Sequence, residues 1–65
     1  MRKVKLSLMR WMIATAWARR NKKRYKINIE FDESIQQKVF IVAMSLDDWG
    51  DLANSPAGQE MLQEQ

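Results

Sequence analysis

The chain of 65 residues contains no cysteine and no histidine. Disulfide bonds are therefore excluded, and so are zinc sites built on thiolate or imidazole ligands. Catalysis that needs a histidine base or a cysteine nucleophile is excluded as well. Glycine occurs twice and proline once, so no glycine-rich loop is available to cradle a phosphate group. We expect a noncatalytic protein with no cofactor and no bound metal.

Three aspartates close to one another in the sequence are the only group that suggests a metal ion. Asp47, Asp48 and Asp51 could offer oxygen ligands to Mg²⁺. The first two, however, follow Ser45 at the spacing of a helix N-terminus, where acidic side chains are favoured by the helix dipole. We therefore interpret them as helix-stabilising residues and not as a catalytic site.

A domain of this size has little room for a core. A chain this short buries only about 60% of the surface that its unfolded state exposes, so its stability alone is expected to be marginal. Yet 46% of the residues are hydrophobic, which is typical of a globular protein and not of a disordered one. The surplus of apolar surface predicts self-association or a permanent protein partner.

Charge is divided into two blocks. Residues 1–26 hold ten of the eleven basic residues and no acid, whereas residues 27–65 hold all eight acids and one base, Lys38. The blocks therefore carry +10 and −7, although the net charge is only +3. Such asymmetry predicts a polyanion, an acidic protein surface or an anionic membrane as the partner.

The N-terminal residues resemble a secretory signal in part. Arg2, Lys3 and Lys5 form a basic start, and either Ala14-Thr15-Ala16 or Ala16-Trp17-Ala18 could pass as a cleavage site. Arg10 interrupts the apolar stretch, which is also far short of the ~20 residues that a membrane span needs. We expect the segment to belong to the mature fold and the protein to reside in the cytoplasm, in a bacterial or host cytosol.

Secondary-structure patterns predict one long helix and a hairpin. Ser7 is a candidate N-cap for a helix from Leu8 to Lys22. Val4, Leu6 and Leu8 alternate with polar residues, so a short strand is an alternative at the very start. Residues 25–31 alternate as a half-buried strand, and residues 38–44 read as a strand that is apolar on both faces, hence central or in an interface.

The C-terminal segment predicts one or two short helices. Ser45 has the spacing of a capping box, and Ser55 followed by Pro56 is typical of a new helix start. We therefore predict an α+β fold in a single domain, residues 1–65. A long N-terminal basic helix packs on an antiparallel two-stranded hairpin, and the basic segment 1–26 precedes the acidic hairpin-helix segment 27–65.

A dense basic cluster is the sharpest functional signal. Six of eight consecutive residues are basic, which favours noncatalytic binding to the phosphates of DNA or RNA through the end of the helix. An amide could touch a phosphate or a base, and a tyrosine could stack on one. The predicted nucleic-acid site comprises Arg19, Arg20, Asn21, Lys22, Lys23, Arg24, Tyr25 and Lys26.

The same charges fit a protein partner, which is the alternative hypothesis. Trp11, Trp17 and Ile13 would then anchor a homo-oligomer or a larger protein whose acidic groove receives the basic block. A membrane surface ranks behind these partners. In its general plan the chain is similar to accessory proteins of phages and mobile elements, many of which inhibit a host enzyme by covering its surface. No single residue carries that similarity.

Overall fold

A computed structural model describes residues 1–63, and it shows an α+β protein with three strands and three helices. The last two residues of the acidic segment lie outside the described part. The elements, in chain order, are β1 (Arg2–Leu6), α1 (Leu8–Arg20), β2 (Lys26–Asp32), β3 (Gln37–Met44), α2 (Leu46–Ala53) and α3 (Pro56–Gln63).

The predicted architecture is wrong in its sheet, which has three antiparallel strands in the order β1-β3-β2 and not two. The chain consequently begins with a strand, and the long helix comes second. β1 pairs with β3 from Arg2 opposite Met44 to Leu6 opposite Phe40. β2 pairs with the other side of β3, from Lys26 opposite Ala43 through seven residues.

The third strand exists because β3 needs a neighbour on both sides. Apolar residues on both faces of β3 indicate a central strand, and a central strand must satisfy backbone N–H and C=O groups along two edges. The β2 hairpin supplies one edge. Residues 2–6, in which Val4 and Leu6 alternate with lysines, pair with the other edge of β3. The alternative of a short strand at the N-terminus is therefore the one that forms.

Serine side chains begin all three helices. The Oγ of Ser7 accepts a hydrogen bond from the backbone N–H of Arg10 at 3.3 Å, and the Oγ of Ser45 accepts one from Asp48 at 3.1 Å. Ser55 does the same for the N–H of Gly58 at 3.2 Å. These bonds satisfy N–H groups that have no partner within the first turn of a helix. α1 ends at Arg20, two residues earlier than predicted.

The core lies on one face of the sheet, which we call the helix face. Ala14, Trp17 and Ala18 of α1 pack against Val42 and Met44 of β3. Small residues four apart on α1 let the helix backbone approach the sheet closely. Leu52 of α2 and Ala57 of α3 complete the buried cluster, so the helices contribute to one layer over the sheet.

The opposite side of the sheet, the open face, follows from the two-residue period of a strand. Since Val42 and Met44 point to the helices, the odd-numbered residues of β3 point away from them. Register then places two lysines of β1 and the even-numbered residues of β2 on the same side. The open face consists of Lys3, Lys5, Lys26, Asn28, Glu30, Asp32, Gln37, Val39, Ile41 and Ala43.

Candidate functional site

Most of the positive charge converges at one end of the molecule. β1 and β2 both start at the end where β3 finishes, since Lys3 and Lys26 lie on either side of Ala43. Residues 21–25 join the C-terminus of α1 directly to β2, which brings the end of that helix to the same place. We call this surface the basic end, and its exposed members are Arg2, Lys3, Arg19, Arg20, Lys22, Arg24 and Lys26.

The turn within the basic end is held by the backbone. The N–H of Lys22 donates to the carbonyl oxygen of Arg19 at 3.2 Å, and the N–H of Lys23 donates to that of Ala18 at 2.9 Å. This pair of bonds is the Schellman arrangement, in which the residue after the cap adopts a left-handed conformation. Lys22 does so with φ of 55° although it has a side chain. The arrangement turns the chain sharply and leaves its basic side chains outside.

Asn21 has a structural role in this turn. It is the C-cap residue of α1, and its side-chain Nδ2 donates to the carbonyl oxygen of Trp17 at 2.8 Å. Its backbone N–H donates to the same oxygen at 3.0 Å. The amide predicted to touch nucleic acid is therefore engaged in ending the helix, while the residue as a whole stays exposed.

Lys23 differs from the other bases of the cluster because it faces acidic residues of the same chain. Its Nζ lies 3.5 Å from a carboxylate oxygen of Asp48 and 3.5 Å from one of Asp51. The acids of α2 thus reach the basic end, where they meet Lys23. Asp48 also occupies the first turn of α2, where the helix dipole favours it, as the sequence predicted.

Carboxylates do not gather into a metal site in the part of the chain that the structure describes. No group of three or more histidine, cysteine, aspartate or glutamate residues in residues 1–63 is placed to hold a metal ion. Asp48 and Asp51, which the sequence offered as Mg²⁺ ligands, are directed to Lys23 instead.

Tyr25 is only partly available for stacking. Its side chain is half-buried and packs against the core cluster. It also lines a groove of about 320 Å³ between α1 and β2, together with Trp11, Met12 and Ile27. Tyr25 thus forms part of the groove wall and is not a freely exposed stacking surface.

Sequence reasoning did not include the bases of β1 in the site. Arg2 and Lys3 belong to the basic end, and Lys5 lies on the open face beside Ile41. Their distance in sequence from the cluster hides this proximity. The signal that could have found them is the two-sided apolar pattern of β3, because a third strand beside it brings its own basic residues to the sheet.

The predicted interface residues are mostly packed within the chain. Trp17 lies in the core with 7% of its surface exposed, whereas Trp11 and Ile13 are half-buried against the same cluster. The ring of Trp11 contacts that of Phe40, with centroids 5.4 Å apart. The indole of Trp17 is thus a packing group of the core.

No family model matches this chain, and comparisons with curated proteins and with solved structures find no match either. Among the described residues, no helix has the length and apolar character needed to cross a membrane.

Proposed function

We propose that the protein is a noncatalytic nucleic-acid-binding protein that contacts phosphates through the basic end. The observation that carries this proposal is that three separate segments bring seven exposed bases to one end of the molecule. The like charges on such a surface repel one another unless negatively charged groups lie close to them. Within residues 1–63, Lys23 is the one base of the predicted cluster that is seen to meet acids of its own chain.

The contacts are expected to be made to the backbone and not to base edges. Lys3 and Lys26 flank Ala43 on the open face, so their Cα atoms lie two strand spacings apart, about 10 Å. Apolar residues of the open face are aliphatic, namely Val39, Ile41 and Ala43, and these give bases no aromatic platform. Binding through phosphates alone implies little sequence preference.

The competing hypothesis, docking onto the acidic groove of a larger protein, rests on the same charges and on the surplus hydrophobic residues, with Trp11, Trp17 and Ile13 as anchors. Trp17 is enclosed in the core and Trp11 is half-covered by Phe40 and the sheet, so neither presents a free indole. A phosphate backbone requires no such anchor. We therefore favour nucleic acid as the partner of the basic end.

A matched pair of variants tests the location of the site. Arg20→Gln combined with Arg24→Gln removes two positive charges from the basic end, and Lys38→Glu changes the net charge by the same amount elsewhere. Lys38 pairs with Phe31 near the opposite end of the sheet and is exposed. Fluorescence anisotropy with a labelled oligonucleotide, duplex or single-stranded, measures the affinity of each variant.

We expect the double variant to bind about tenfold more weakly, since each exposed ionic contact contributes up to about 1 kcal/mol. The affinity of the Lys38→Glu variant should stay close to that of the unmodified protein. Equal losses of affinity in the two variants would show that binding is governed by the net charge of the protein and not by the basic end. Circular dichroism of each variant verifies that the fold is intact.

A further inference from the structure

β2 is an edge strand whose outer side has no strand beside it in residues 1–63. The sheet order places β3 on one side of β2 and nothing from the described chain on the other. The seven-residue strand Lys26–Asp32 therefore directs the backbone N–H and C=O groups of every second residue outward. Such an edge is a template for pairing with another strand.

The two edges of the sheet are protected to different extents. β1 has basic residues at three of its five positions, and charged side chains are a common defence against edge pairing. β2 is longer and contains no proline, and its only lysine stands at its first residue. Its centre, Asn28-Ile29-Glu30, contains no lysine and no proline, and Glu30 is its one charged side chain.

β2 also leaves apolar surface uncovered on the helix face. Ile27, Ile29 and Phe31 share that face, and they are 52%, 51% and 58% exposed. The groove between α1 and β2 continues this surface to Met12, which is 53% exposed. An apolar row beside an open edge is a surface that a second apolar strand would cover.

The sequence of β2 is complementary to itself in the antiparallel direction. If two copies meet with Ile29 opposite Ile29, then Ile27 lies opposite the partner's Phe31 on the helix face. On the open face, Asn28 lies opposite the partner's Glu30, and Lys26 lies opposite the partner's Asp32. Apolar pairs thus fall on one face and polar or oppositely charged pairs on the other, which is the pattern that stabilises paired strands.

We propose that the protein forms a twofold-symmetric dimer in which the β2 edges of two copies pair antiparallel, centred on Ile29. The strand that pairs with the outer edge of β2 comes from a second copy of this chain, because the charges along β2 are complementary to those of the same strand in the antiparallel direction. The two sheets become one sheet of six strands, and the apolar rows of the two copies form a continuous surface between the two α1 helices. Such an interface is isologous, as in most homodimers.

Other registers fit less well. Centring the pair on Glu30 would place two carboxylates opposite each other. Centring it on Asn28 would leave Phe31 and Asp32 beyond the end of the partner's β2 strand. The register centred on Ile29 pairs all seven residues of both strands.

Sedimentation velocity of the full chain over a wide range of concentration tests the interface. Ile29→Lys places two like charges opposite each other at the twofold axis and should give a monomer. Ile35→Lys is the matched control, because Ile35 is 54% exposed but lies in the turn after β2, away from the paired edge. We expect the unmodified protein and Ile35→Lys to be dimers.

A charge exchange tests the register. Asn28→Glu puts a carboxylate opposite the partner's Glu30 at two symmetric places and should weaken the dimer about tenfold. Adding Glu30→Lys to that variant places each introduced carboxylate opposite an introduced ammonium group of the other copy and should restore association. In the register centred on Asn28 the double variant would instead oppose like charges and remain weak.

A monomeric unmodified protein at every concentration, or equal association of the Ile29→Lys and Ile35→Lys variants, would overturn the proposed dimer. Failure of the double variant to recover would overturn the register centred on Ile29. Thermal unfolding of each variant separates loss of association from loss of fold. The measurement contains no nucleic acid, so its result is independent of the proposed function.

Discussion

A single lysine holds the most strained backbone of the basic end. Lys22 has φ of 55°, in the left-handed region where a Cβ crowds the following carbonyl oxygen. Glycine is the usual residue at this position of a Schellman turn. Residues kept in such conformations are concentrated at functional sites. Lysine in place of glycine at this position lowers the stability of the fold but adds a positive charge to the basic end. Its presence agrees with a function that depends on that charge.

Replacing Lys22 by glycine should therefore stabilise the protein. We expect Lys22→Gly to raise the free energy of unfolding by about 1 kcal/mol, because glycine adopts positive φ without steric cost. Lys22→Ala is the control, since it removes the same charge and keeps the Cβ. Urea unfolding followed by circular dichroism measures both. Equal stability of the two variants would show that charge, and not backbone conformation, is responsible.

The three tryptophans occupy different environments, which could not be assigned from the composition of the chain. Trp17 fills the core, and the indole Nε1 of Trp49 donates to the carbonyl oxygen of Arg2 at 2.9 Å, which ties α2 to β1. The Nε1 of Trp11 is buried and finds no acceptor among the described residues. The sequence predicted Trp11 and Trp17 as interface anchors from their chemistry alone. Their environment depends on the helix face, which the sequence pattern did not resolve.

At the scale of elements, two glycines occupy opposite environments. A Cβ added at Gly58 of α3 would overlap the carbonyl oxygen of Leu52 and lie 2.9 Å from the Cα of Ala53. The close approach of α3 to the end of α2 therefore requires glycine. A Cβ added at Gly50 of α2 would meet nothing within 4 Å.

The same substitution should consequently have opposite effects at these positions. Gly50→Ala is expected to raise the free energy of unfolding by up to about 1 kcal/mol through better helix propensity. Gly58→Ala is expected to lower it by about 2 kcal/mol, since the backbone of α2 must move. Thermal melts of the two variants measure the difference. A stabilising Gly58→Ala would contradict the packing of α3 on α2.

Local chemistry made the helices and the β2–β3 hairpin predictable. Ser7, Ser45 and Ser55 start helices where the sequence placed them, and β3 begins one residue before its predicted start. The sequence predicts β1 only as an alternative, because three of its five residues are basic and its apolar pattern consists of Val4 and Leu6 alone. β1 forms because the central strand β3 needs a hydrogen-bonding partner along its second edge. That requirement comes from the tertiary structure and cannot be read from the local sequence pattern.

At the scale of the whole molecule, the candidate site was predictable in part. The run from Arg19 to Lys26 is visible in the sequence, and its bases other than Lys23 are exposed. Two features needed the fold. Arg2 and Lys3 join the basic end only because β1 pairs with β3, and Lys23 is turned toward Asp48 and Asp51 only because α2 follows β3 there.

The most direct test of the central proposal is the salt dependence of nucleic-acid binding by the unmodified protein. Each phosphate contact releases counterions, so about five to seven contacts to duplex DNA predict a slope of about −4.5 to −6.3 in a plot of log K against log salt concentration. Anisotropy titrations at several salt concentrations, with oligonucleotides of unrelated sequence, give the slope and its dependence on sequence. We expect a steep slope that is similar for all sequences. An affinity that does not change between low and moderate salt would contradict binding through the basic end.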